Sequence, residues 1–132
     1  MKNYIGIKQV KAQPMAMGEA KERNLLQSSI VVSECEKDKA GYLVEYDNGY
    51  QSWSPADVFD KHYKLSETFV DRLNIERDEL VEKIKKLESA ISKRDFISKV
   101  GITQYELLYQ QLTHMNKYLE ILEKRLNLLN KE

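Results

Sequence analysis

Cysteine, proline, histidine and tryptophan are scarce in this 132-residue sequence, which has one Cys, two Pro, two His and one Trp. The lone Cys35 excludes an internal disulfide framework and suits a reducing compartment. His62 and His114 show no H-x-x-x-H or Cys/His spacing, so no metal ligand set is expected. G-x-S-x-G, P-loop and G-x-G-x-x-G patterns are missing as well, which leaves no catalytic residue and no cofactor to assign. Cys35 sits in the acidic run SECEKD, where neighbouring carboxylates oppose thiolate formation and blunt its nucleophilicity.

Charge of one sign is also lacking. There are 21 Lys+Arg against 21 Asp+Glu, divided 9 and 9 over residues 1–65 and 12 and 12 after them. Proteins that bind DNA, RNA or an anionic bilayer concentrate cations to neutralise phosphates, and this sequence does not. No apolar run approaches the roughly 18 residues of a bilayer span, and MKNYIGIKQVK lacks the uninterrupted apolar stretch of a secretory signal. The expected protein is cytoplasmic, with neither nucleic acid nor membrane as partner. Zero net charge weakens self-repulsion and favours a homo-oligomer.

What is present is 42% hydrophobic residues in two patterns of different period. Together they predict an α+β chain: a β-rich module over residues 1–65, then a helical hairpin over 66–132. In the module, Tyr4–Ala12 alternates imperfectly through Ile5, Ile7 and Val10, predicting a strand that Pro14 ends. MAMGEAKERNLL suggests a short helix and SECEKDK a solvated loop. Gly41–Tyr46 and Tyr50–Ser54 flank Asp47-Asn48-Gly49, the composition of a tight hairpin turn. Ser54 as N-cap, Pro55 in the first turn and Asp57 near the dipole's positive end predict a helix to His62 that buries Val58 and Phe59.

The second half has helical period. Val70, Leu73, Arg77, Leu80, Ile84, Leu87 and Ile91 recur at alternating spacings of 3 and 4, with Ser66 as a candidate N-cap. After a break at Ser92-Lys93-Arg94, Phe96, Ile97 and Val100 allow one or two further turns. Thr103-x-x-Glu106 has capping-box form and predicts the start of a second long helix. Its seam is Leu108, Leu112, Met115, Leu119, Leu122, Leu126 and Leu129, and all of it is expected to be buried. Tyr105, Tyr109, Tyr118, Ile121 and Leu128 fall beside that seam, an arc wider than one helix can cover, so a third layer or a second copy is expected.

Five residues are candidates for ligand binding. Arg77 interrupts an apolar seam and either pairs with Asp78 or Glu106 or lines a cleft. Arg94 and Lys99 lie in the connection before the second long helix, where backbone amides suit phosphate. Tyr105 and Tyr109 stand one turn apart and offer stacking faces for a base, or simply pack. Trp53 is read as an anchor between strand and helix. Glu79 with Lys83, and Glu82 with Lys86, have the spacing of exposed helical ion pairs.

YIGIKQVKAQPM followed by GYLVEYDNGYQSWSPADVFDKHY resembles a module of small accessory proteins of tailed phages and prophages. Its pattern runs from a strand ending in Pro-Met through G-Y-x-V-x-Y and a D-G or N-G turn to W-S-P-K-x-V-F. Pro14-Met15, Gly41-Tyr42, Val44, Tyr46, Asn48-Gly49, Trp53-Ser54-Pro55 and Val58-Phe59 match, whereas Ala56 stands where the pattern has Lys. DRLNIERDELVEKIKKLESAISKRDF and ELLYQQLTHMNKYLEILEKRL are similar to a helical-hairpin family of phages, crAss-like phages included. The resemblance implies a phage-encoded, non-enzymatic inhibitor that works in the cytoplasm of the bacterial host. It would act as a sponge, sequestering a nucleotide-type second messenger of antiviral immunity such as CBASS or Thoeris produce. The alternative is a protein–protein adaptor that docks a host or phage protein through its amphipathic hairpin.

Overall fold

A computed structural model describes residues 1–131 and divides into two compact units, Met1–Tyr63 and Lys64–Glu132. The first holds β1 (Lys11–Pro14), α1 (Met17–Glu22), β2 (Gly41–Glu45), β3 (Gln51–Pro55) and α2 (Ala56–His62). The second holds α3 (Phe69–Ile91), α4 (Phe96–Val100) and α5 (Ile102–Asn130). The class is α+β, with a small antiparallel sheet and long helices.

The sheet of the first unit has the order β1-β2-β3 with both pairings antiparallel. The Asn-Gly turn forms as composition dictates: the Gly49 amide donates to the Tyr46 carbonyl at 2.8 Å, and the Tyr50 amide to Asn48 Oδ1 at 3.0 Å. Because β2 is the central strand, its alternate side chains feed two faces. Leu43 packs in a core with Met15 and Ala20, where Leu25, Leu26 and Trp53 join it. On the other face Val44 is buried, and the Tyr42 ring stacks on Phe59 of α2 with centroids 4.3 Å apart. Phe59 in turn stacks on Tyr63 at 4.9 Å.

Three expectations for this unit change. The first strand is Lys11–Pro14 rather than a longer run from Tyr4, because β2 ends at Glu45 and only residues from Lys11 onward find a partner. α2 begins at Ala56 with Pro55 as N-cap and no side-chain cap, so the Ser54 hydroxyl does not serve that role. Val58 is exposed and Phe59 only half-buried, since the short helix turns one stripe to the sheet and that stripe carries the aromatic stack.

In the second unit α3 and α5 pack antiparallel, with Phe69 at the start of α3 lying 5.8 Å from the Arg125 guanidinium near the end of α5. Leu73, Leu80 and Ile84 of α3 and Leu122 and Leu126 of α5 form the buried core. Full burial contributes about 1.5–3 kcal/mol per such side chain. Leu112, Met115, Leu119 and Leu129 pack against this core while half-buried, so only part of the predicted seam is fully enclosed. Two helices cannot cover a seam from both flanks. Leu107, Tyr118, Ile121 and Leu128 accordingly remain exposed beside it.

The helix starts also differ from the reading of the sequence. Thr68, not Ser66, caps α3: its hydroxyl accepts from the Asp71 amide at 3.1 Å, and Asp71 Oδ2 accepts from the Thr68 amide at 3.0 Å. The reciprocal pair is a capping box built with Asp in place of Glu. α5 starts at Ile102 without a side-chain cap, because Gly101, at φ 87°, ends α4 and begins α5 in one residue. Thr103 therefore lies inside the helix. On the exposed faces Glu82 pairs with Lys86 at 3.3 Å and Glu120 with Lys124 at 2.9 Å. The latter bond holds the Glu120 carboxyl below its usual range.

Candidate functional site

The corner where α4 meets α5 collects four of the five candidate residues. Phe96 opens α4 and Tyr105 stands in the first turns of α5; their rings lie 6.3 Å apart at 60°. Tyr105 and Tyr109, one turn apart on α5, are also 6.3 Å apart, tilted by 41°. The result is a run of three aromatic rings along one end of the hairpin, half-buried at Phe96 and Tyr105 and exposed at Tyr109. Lys99 is on α4, its ammonium 3.0 Å from Asp95 Oδ2 in an exposed i,i+4 pair. Arg94 is exposed one residue before Asp95, the N-cap of α4. The first turn of α5 follows directly, its leading amides uncapped by any side chain.

Arg77 does not join this corner. Its Nε donates to Asp78 Oδ1 at 2.7 Å and its Nη2 to Asn74 Oδ1 at 3.3 Å, so the guanidinium is engaged on its own helix face. Because Phe69 is level with Arg125, an antiparallel partner brings Arg77 level with residue 117 or so. That is about 18 Å from Tyr105 at 1.5 Å rise per residue. A ligand of nucleotide size bound at the corner is out of its reach within one copy of the unit.

The first unit has a concave feature of its own. An open groove of about 490 Å³ is lined by Lys8, Gln9, Tyr46, Asp47, Asn48 and Tyr50. The Lys8 ammonium sits 5.3 Å over the Tyr46 ring, and Tyr46 stacks on Tyr50 with centroids 5.9 Å apart. Reading the sequence as paired strands hid this grouping. The signal that carries it is the placement of two tyrosines on either side of a tight turn, which brings residues four apart onto one side.

Among the described residues no group of three or more His, Cys, Asp or Glu side chains could hold a metal ion. No helix there is long and apolar enough to cross a membrane. Cys35 is exposed, its sulfur 3.2 Å from the Ser33 hydroxyl. Trp53 fills the anchoring role expected of it, donating its indole N–H to the Met15 carbonyl at 2.8 Å.

No curated protein and no solved structure matches the chain. Residues 67–128, which span α3, α4 and nearly all of α5, match the family model described as Sequestin, and the hairpin of this protein is similar to that family.

Proposed function

We propose that this protein binds and sequesters a nucleotide-type second messenger without cleaving it, as a phage-encoded inhibitor of host antiviral signalling in the bacterial cytoplasm. The similarity of residues 67–128 to Sequestin, a family whose name denotes sequestration, carries the reading. The α4–α5 corner supplies chemistry of the right kind: aromatic faces at Tyr105 and Tyr109 for a base, and cations at Arg94 and Lys99 for phosphate. Capture without turnover requires tight binding. A micromolar signal calls for a dissociation constant on the order of 10 nM, or about −11 kcal/mol. An exposed corner buries too little of a ligand for that affinity, so a homo-oligomer that closes the site, with Arg77 contributed from another copy, belongs to the proposal.

The test is mass spectrometry of metabolites released from heat-denatured protein purified from infected cells, followed by titration of what is found. Arg94→Ala or Lys99→Ala should weaken binding about ten- to a hundredfold, as loss of a charge-assisted hydrogen bond does. Tyr105→Ala, Tyr109→Ala and Arg77→Ala complete the series. If all five variants bind like the parent, the site assignment fails. The exposed stripe Leu107, Tyr118, Ile121 and Leu128 favours the second reading, an adaptor that docks a protein. A protein that releases no metabolite, responds thermally to no nucleotide and shifts only with a protein partner has that second function.

A further inference from the structure

Tyr46 and Tyr50 share a face of the sheet with Tyr42 and Val44, because side chains alternate along β2 and Val44 pairs with Ser52 of β3. α2 covers that face at the Tyr42 end, where the Phe59 ring stacks. At the turn end Tyr50 stays 64% exposed beside the open groove of about 490 Å³, a size within the roughly 300–1,000 Å³ of small-ligand sites. The Lys8 ammonium lies 5.3 Å from the centroid of the Tyr46 ring and makes no ion pair among the described residues. A ring face alone holds that cation, a contact that is weak at an exposed position and readily exchanged. Three polar side chains complete the lining. Gln9 sets a donor beside an acceptor, the Asp47 carboxylate only accepts, and Asn48 spends Oδ1 on the Tyr50 amide and keeps its amino group to donate.

We propose that this groove is a second nucleotide site, one that selects adenine. The base stacks on Tyr46 in the place that the Lys8 ammonium now takes, and the ammonium turns to the phosphate. The exchange gives the ring a planar partner and the cation an anion, so both groups end better matched than they start. Gln9 presents its carboxamide to the amino group and ring nitrogen along one edge of adenine, the bidentate fit that amide side chains make with that base. Asp47 adds to the selection, since an acceptor without a proton favours a base edge with an amino group over one with a keto oxygen. The same carboxylate opposes dense negative charge, and a single phosphate therefore suits the groove better than a triphosphate. The inference rests on the nucleotide reading above, to which it adds the identity of the base. It sets that base in the first unit, outside residues 67–128 that resemble Sequestin.

The test titrates the isotope-labelled full chain with adenosine monophosphate (AMP), adenosine and inosine monophosphate (IMP), which has a keto oxygen in place of the amino group, and follows backbone amides by NMR. AMP should move the amides of Lys8, Gln9 and the turn from Tyr46 to Tyr50, and should bind about tenfold tighter than adenosine, the worth of one charge-assisted hydrogen bond. It should also bind tighter than IMP, and Gln9→Leu should narrow that preference. Lys8→Ala should erase the advantage of AMP over adenosine while leaving adenosine bound as well as before or better, because no ammonium then competes for the Tyr46 ring. Lys8 and Gln9 are exposed and outside any strand, so both variants keep the fold, and their amide spectra verify it. The proposal is overturned if AMP leaves the groove amides unmoved, or if Lys8→Ala weakens adenosine as much as AMP. Shifts confined to residues 94–109 overturn the groove and leave the α4–α5 corner standing; shifts confined to the groove support this inference and refute the corner.

Discussion

The indole of Trp53 lies across Gly41: a Cβ at position 41 would come within 2.3 Å of the Trp53 ring, while the ring's N–H is fixed to the Met15 carbonyl at 2.8 Å. Glycine at 41 is thus required by a neighbour's side chain. Gly41→Ala should destabilise the first unit by about 1–3 kcal/mol, the usual cost of overpacking. Trp53→Phe keeps most of the ring but leaves the Met15 carbonyl without its donor, a loss of about 1–3 kcal/mol. Tryptophan fluorescence during urea unfolding reads the first variant, and thermal melting by circular dichroism reads both. Two melts that coincide with the parent would refute this lock.

Leucine substitutions along α5 should separate by depth. Leu122 is fully buried, whereas Leu112 and Leu119 are half-buried. Leu122→Ala is expected to cost about 2–5 kcal/mol, as truncation in a closed core does. Leu119→Ala should cost less than half as much, because it removes less contact and water can fill the space. Urea midpoints for the two variants give the comparison; equal losses would mean that another surface covers Leu119.

The start of α3 should be sensitive to acid. The Asp71 carboxyl is held below its usual range, first by the hydrogen bond from the Thr68 backbone amide, then by the Thr68 hydroxyl, the Glu67 amide and nearby Arg72. A carboxylate with a depressed folded-state pKa stabilises fully above its unfolded value, near 3.9, and loses that contribution as pH falls through the folded value. The stability gap between the parent and Asp71→Asn should therefore be constant from about pH 7 to pH 5 and close in more acidic solution. Thr68→Ala removes the other half of the box, with an expected loss of about 1 kcal/mol at neutral pH. Denaturant melts across the pH series check both; a gap that widens in acid would reverse the assignment.

Gly101 is the joint of α4 and α5, at φ 87°, and no atom lies within 4 Å of where a Cβ would stand. Any penalty for a side chain there comes from the backbone alone. With ψ at 156° this residue lies outside the left-handed helical region that asparagine tolerates, in a conformation essentially confined to glycine, so Gly101→Ala and Gly101→Asn should each cost about 1–3 kcal/mol. If thermal melts of both variants coincide with the parent, the joint is held by something other than conformation.

Local signals in the sequence were readable and non-local ones were not. The hairpin through Asn48-Gly49 and the two long helices follow from residues a few positions apart. The length of β1 depends on where β2 stops, 34 residues from Lys11 at Glu45, and the alternation of Ile5 and Ile7 gives no sign of that limit. Thr103-x-x-Glu106 has the composition of a capping box, yet the backbone at Gly101 starts the helix two residues earlier. Among the candidate residues, the tyrosine pair one turn apart and the Arg77–Asp78 pairing were legible because each lies within one helical turn of sequence. The grouping of Lys8 with Tyr46 and Tyr50 required the sheet register and was missed.

The two-faced burial of β2 leaves pairing order unusually dependent on shape. Leu43 and Val44 are neighbours, and both are buried, on opposite sides of the sheet. In a sheet with one wet face, sliding a strand by a single residue exposes its apolar set and is penalised at once. Here the same slide exchanges one apolar side for another, and hydrophobicity scarcely distinguishes the two alignments. Discrimination then falls to the fit of the Trp53 ring over a residue with no side chain: a shifted strand would present Tyr42 or Ala40 to that ring in place of Gly41. A single indole chooses among alignments that the aliphatic side chains leave nearly equal.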